Sequence, residues 1–230
     1  MPEPAANAEL LRSLGRVVRG LSALFWGLPA ALIIGFGTAS AGWFPSFGVV
    51  PALATTGLLV YGLWLMRPFQ QQERVWRLSL DRAQFLGTVT AGLSPFLYWW
   101  NKMPLQPFFT TVVAVLSVTS LVFLGQINFV LLRLGAMLPD ETLRHETRQF
   151  TALNCALLCV ALVLASAYWL AATPDSPLPE DVLLFLARLE HAGLWLLPLI
   201  VFLLLPLALT MALLWKTKEV ILESIFGRRE

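Results

Sequence analysis

Five intervals of this chain contain no Asp, Glu, Lys or Arg: residues 20–66, 83–101, 103–132, 149–174 and 192–215. About 20 apolar residues in an α-helix cross the hydrocarbon core of a bilayer. Lipid offers no partner to exposed N–H and C=O groups, so such a stretch enters it only with its backbone bonded internally. The first interval is long enough for two crossings. Its middle, residues 38–46, holds the Ser, Gly and Pro of a turn, with Trp43 suited to headgroup depth. The chain is therefore expected to be an all-α integral membrane protein of six transmembrane helices, near 20–38, 47–66, 84–100, 108–132, 150–172 and 194–215, together one domain over 20–215. Composition fits that class: 57% of residues are apolar and 13% charged, against about 25% charged in soluble proteins.

Charge sets the orientation. Arg12, Arg16 and Arg19 precede the first span, and Arg67, Arg74, Arg77 and Arg82 separate the second from the third. Arg133, Arg144 and Arg148 separate the fourth from the fifth, and Lys216, Lys218, Arg228 and Arg229 follow the sixth. Alternation of the spans puts these fourteen of the sixteen Lys and Arg residues on one side, with Lys102 and Arg188 on the other. Short basic loops stay cytoplasmic, which predicts a multi-pass protein with both termini cytoplasmic, the bacterial inner membrane being the default location. Trp64, Trp99, Trp100, Trp195 and Trp215 fall near span ends, where amphipathic rings settle.

Shorter elements flank the spans. Residues 1–19 read as an amphipathic N-terminal surface helix, since Leu10, Leu11, Leu14, Val17, Val18 and Leu21 recur at helical spacing with Arg12, Arg16 and Arg19 turned away. A basic leader, an apolar run and Ala39-Ser40-Ala41 also resemble a cleaved signal peptide, but the length and patterning of the leader favour a retained helix. The inner loop from Arg67 to Gln84 mixes arginines with Val75, Trp76, Leu78 and Leu80, the pattern of a short interfacial helix or elbow. Pro139, Asp140 and Glu141 predict that helix five starts in the cytoplasm, its acidic groups at the positive end of the dipole. Pro179-Glu180-Asp181 starts a further helix in the outer loop, and 216–230 forms a cytoplasmic tail.

Chemical signatures are sparse. With no charged side chain inside any predicted span, a proton relay or ion-coupled carrier is disfavoured. The two histidines, His145 and His191, lie in loops on opposite sides, which argues against haem between helices and against a zinc cluster. Cys155 and Cys159, one turn apart, read as small packing residues. No cofactor or metal is expected, and no nucleophile with an adjacent base points to an enzyme. A net charge of +2 without a basic domain speaks against nucleic acid.

Two groups of residues remain as candidate sites. Gln126, Asn128 and Asn154 form the most polar layer within the membrane. Asn128 precedes Arg133 by five residues, roughly 7–8 Å inside the boundary, and Asn154 enters from the same side on the next helix. They read first as hydrogen-bonding glue between helices and second as an intramembrane polar site. Arg74, Arg77, Arg82, Arg144 and Arg148 offer a cytoplasmic contact for anionic lipid or an acidic partner. Pro29, Pro51, Pro95, Pro198 and Pro206 mark where helices can break, and Ala31, Gly35, Ala39, Gly57, Gly87 and Ala91 predict close packing among the first three spans. The functional expectation is a structural or accessory subunit, or assembly factor, of a membrane complex, its partners the bilayer and other membrane subunits or copies of itself. A permease or channel for a small uncharged or polar solute is the alternative, and a lipid-modifying membrane enzyme a third.

Overall fold

The computed structural model describes residues 4–41, 46–70, 72–138, 140–171 and 196–226, and all regular structure among them is helical. In chain order the helices are α1 (Pro4–Phe36), running into a π-helical segment (Gly37–Ala41), α2 (Val50–Met66), α3 (Arg74–Leu93), α4 (Phe96–Lys102), α5 (Pro107–Met137), α6 (Glu141–Ala171) and α7 (Leu196–Phe226). Three stretches, Leu11–Ser40, Pro107–Met137 and Glu141–Ala167, are helical, long and apolar enough to cross a membrane, and Val50–Met66 is a shorter apolar helix.

Several boundaries differ from the sequence expectation, each for a local reason. The leader and the first span are one helix. Val17, Leu21, Leu24 and Leu28 are all buried, so a single apolar stripe crosses the expected junction at residues 19–20 without interruption. The turn expected from residue 38 begins later, because the helix loosens into π geometry and carries on to Ala41. Asn101 of α4 closes that wider coil, its Nδ2 donating to the carbonyls of Thr38 and Ala39 at 2.9 Å each.

The interfacial helix or elbow expected between Arg67 and Gln84 is helical from Arg74 and runs on into the third span as α3, and Trp76, Leu80 and Ala83 are core residues with at most 1% exposure. Trp76 packs edge-on against Phe69 in the preceding turn, ring centroids 6.0 Å apart. The continuous span at 84–100 is broken at Ser94–Pro95, where proline has no amide hydrogen to continue the ladder, and α4 starts afresh. At the other end of the chain, Leu213, Leu214, Thr217 and Ile221 extend one buried face past residue 215, so the expected tail is helical to Phe226. The outer-loop helix at Pro179 lies outside the described residues.

The helices form a closed circuit of neighbours. α1 packs on α2, α2 on α3, α3 on α5, α5 on α6, α6 on α7 and α7 back on α1, while α5 also touches α7 across the middle. The α1–α2 contact is the tightest: a Cβ built on Gly20 would meet the Gly62 carbonyl oxygen at 2.6 Å, and one on Gly27 would meet Leu59 Cδ2 at 2.7 Å. Of the small residues singled out from sequence, Gly87 does face a close neighbour, Phe123 Cε2 at 3.1 Å, but Gly57 faces open space and Gly35 makes only ordinary contact with Leu97. Spacing alone did not reveal which glycines meet another helix.

Candidate functional site

Three helices bring their uncharged polar side chains together around one hydroxyl. Thr210 lies on α7 one turn beyond Pro206, and its Oγ1 donates to the Pro206 carbonyl at 2.8 Å. The same oxygen accepts from Asn128 Nδ2 of α5 at 2.9 Å and from Asn154 Nδ2 of α6 at 2.8 Å. A threonine hydroxyl has one proton and two lone pairs, and all are used. Each amide also bonds backbone: Asn128 Nδ2 donates to Leu124 O at 2.8 Å, and Asn154 Nδ2 to Pro206 O at 3.1 Å. All three side chains are fully buried, at 0% exposure.

The expected layer is thus divided. Asn128 and Asn154 do come to one place, joined through Thr210 and not by the direct bond that antiparallel neighbours could form. Gln126 points elsewhere, donating from Nε2 to the Ser79 carbonyl of α3 at 3.2 Å. Two positions along an α-helix differ by about 200° in direction, so Gln126 and Asn128 cannot serve the same neighbour. Thr210 escaped the sequence reading because a lone threonine in a Leu-rich run looks like background. The bond to the carbonyl four residues back is no signal either, since Thr38, Thr90 and Thr147 make it as well.

Polar groups continue from this cluster toward one end of the helices. On α6, Thr147 and Thr151 share the buried face of Asn154, and on α7 Thr217 shares that of Thr210. Gly135 of α5 leaves room for this row, since a Cβ there would come within 3.3 Å of Thr147 Oγ1. An ion pair between Glu146 and Lys216 lies at the end of the row, about 12 Å from the Thr210 cluster at 1.5 Å per helical residue. Asn128 Oδ1, Asn154 Oδ1, Thr151 Oγ1 and Thr217 Oγ1 are buried without a hydrogen-bond partner. Chemically the row consists of neutral acceptors and hydroxyls, suited to hydrogen bonding. Cys155 is half-buried beside it, whereas Cys159 faces outward, so a packing role fits the first cysteine better than the second.

The five candidate arginines fall into two groups. Arg74, Arg77 and Arg82 project from exposed positions on α3. Arg144 and Arg148 are on α6, with α5 between the two helices in the circuit, and there they share a cavity with Arg133 of α5. Asp140 shapes this region by capping α6. Its Oδ1 accepts from the backbone N–H of Thr142 at 2.9 Å and of Leu143 at 3.2 Å, and from the Thr142 hydroxyl at 2.6 Å. The helix starts at Glu141, so Asp140 is the cap and not a first-turn residue.

Comparison of the chain with protein-family models, curated proteins and solved structures found no match.

Proposed function

We propose that this protein is a six-span, multi-pass membrane protein with both termini cytoplasmic, acting as a structural or accessory subunit, or assembly factor, of a membrane complex. The observation that carries the reading is the saturation of Thr210: its hydroxyl is consumed by bonds to Asn128, Asn154 and Pro206, so the centre of the polar layer ties helices together. The outward faces, meanwhile, carry large apolar side chains, among them Trp26, Phe36, Phe85 and Val163, each more than 60% exposed, and these suit lipid or a neighbouring subunit. The six-span topology takes the three long apolar helices together with α2, the broken α3–α4 unit and α7, and the fourteen-to-two division of basic residues supports its direction. Purification in mild detergent tests the role. A stoichiometric membrane partner is expected, and a lone monomer or a symmetric homo-oligomer would overturn it. A reporter active only in the periplasm and fused after Glu230 should be silent; activity there would defeat the topology.

A second reading, a permease for a small polar solute, is favoured by the unpartnered Asn128 Oδ1 and Asn154 Oδ1. The pair of substitutions Asn128→Leu and Asn154→Leu separates the two roles. Loss of transport in a variant that still folds supports the permease, and retained partner binding supports the subunit.

A further inference from the structure

A cavity of about 360 Å³ opens between the last turns of α5 and the first turns of α6, lined by Leu132, Arg133 and Ala136 from the former and Glu141, Arg144, His145 and Arg148 from the latter. Three arginines and one glutamate line it, so the lining carries a net positive charge. Arg144 is held in place: its Nη2 donates to the Ala136 carbonyl at 2.9 Å, where the ending helix leaves acceptors free, and its remaining N–H groups stay available. The Asp140 carboxylate is bonded to the α6 amides and is not part of the lining. Leu132 and Ala136 supply an apolar wall beside this charge, at the point where the long apolar stretch Pro107–Met137 ends.

We infer that this cavity binds the phosphate group of an anionic membrane lipid. Guanidinium forks match phosphate oxygens in pairs, and a phosphodiester presents its charge at the depth where an apolar helix reaches the headgroups. The apolar wall suits the glycerol and first methylenes attached to that phosphate, a feature without purpose for a free anion. Orientation in the membrane requires only that arginines lie on the inner side; it does not require two helices to direct three of them into one cavity. Arg74, Arg77 and Arg82 of α3 provide the comparison: they are exposed like Arg133, Arg144 and Arg148 and carry the same charge, but have no share in the cavity.

The test uses the full chain in phosphatidylcholine nanodiscs with phosphatidylglycerol added, bound lipid being counted by native mass spectrometry after release. The variant R133Q/R148Q leaves the Arg144 bond to Ala136 in place. Loss of two charge-assisted phosphate contacts should weaken phosphatidylglycerol binding roughly thirtyfold, while R74Q/R77Q, which removes as much charge from α3 outside the cavity, should weaken it several times less. An equal loss in both variants, or none in the first, overturns the site. Inorganic phosphate is the second arm, read by thermal stability in a neutral detergent. Stabilisation by phosphatidylglycerol and not by phosphate supports a lipid ligand, whereas full stabilisation by phosphate, with nothing added by the lipid, overturns the lipid assignment. Thermal unfolding of each variant in phosphatidylcholine alone shows whether a lost ligand is simply a lost fold.

Discussion

Gly20 and Gly62 meet backbone to backbone: a Cβ on Gly62 would come within 3.0 Å of the Gly20 carbonyl oxygen, and one on Gly20 within 2.6 Å of the Gly62 carbonyl oxygen. The obstacle on each side is main chain, which has no rotamer by which to yield. Gly20→Ala should therefore destabilise the protein by about 1–3 kcal/mol, seen as a lower unfolding temperature in detergent. Gly57→Ala, on the same helix α2 but facing open space, should cost nothing. Equal behaviour of the two variants would mean that α1 and α2 do not approach as described.

Removing the shared hydroxyl should leave two buried amide protons without their acceptor. Thr210→Val is expected to lower stability by about 1–3 kcal/mol, and Thr210→Ser to restore most of it. If valine is tolerated as well as serine, the hydroxyl is not what joins the three helices here.

The Asp140 cap has a pH signature. The Thr142 hydroxyl, followed by the Leu143 amide, favours the charged carboxylate and holds its pKa below the ordinary 3.8. The folded state thus takes up this proton less readily than the unfolded chain. The cap's contribution is complete above pH 3.8 and is lost as pH falls further, through the depressed folded value. Protection of the Thr142 and Leu143 amides against hydrogen exchange, relative to the intrinsic rate at each pH, should fall in wild type only in acid, and already at neutral pH in Asp140→Ala. Unchanged protection of these amides in the variant would remove Asp140 as the cap.

The Glu146–Lys216 pair should matter little to stability. Its side chains are 34% and 41% exposed, and pairs so open to solvent contribute about 1 kcal/mol or less. Glu146→Gln is expected to produce a shift in unfolding temperature that shrinks further in high salt. A loss several times larger, insensitive to salt, would place the pair in a far drier setting.

Which parts of this molecule were legible in the sequence follows from what lipid-facing helices have in common. Runs such as Pro107–Met137 declare themselves by apolar length alone, but proline did not show where a helix would end: Pro95 coincides with a break, whereas Pro29 and Pro206 lie inside unbroken helices. Trp76 misled because a loop-like mixture of arginines and apolar residues is also how a helix reads when one face is buried and the other basic. Partners were harder still. Asn128 and Asn154 were visible as polar residues at similar depth, but Thr210, which joins them, sits on a helix distant in sequence. Where every face is apolar, periodicity no longer distinguishes the side that meets a neighbour from the side that meets lipid. The cavity between Arg133 and Arg148 was hidden for a related reason, since inner-side arginines look alike until the helices carrying them are paired.

The closure of α7 onto α1 has a consequence for how the chain comes to be assembled. The joint unites the first and last helices, with Phe25 and Trp215 in ring contact at 5.7 Å. Synthesis delivers α1 well before α7. Throughout elongation the leading helix holds one flank against α2 while the other waits for a segment not yet made. Whatever shelters that flank in the interval, lipid or an insertion factor, must give way when α7 emerges, and only then does the circuit of helices close.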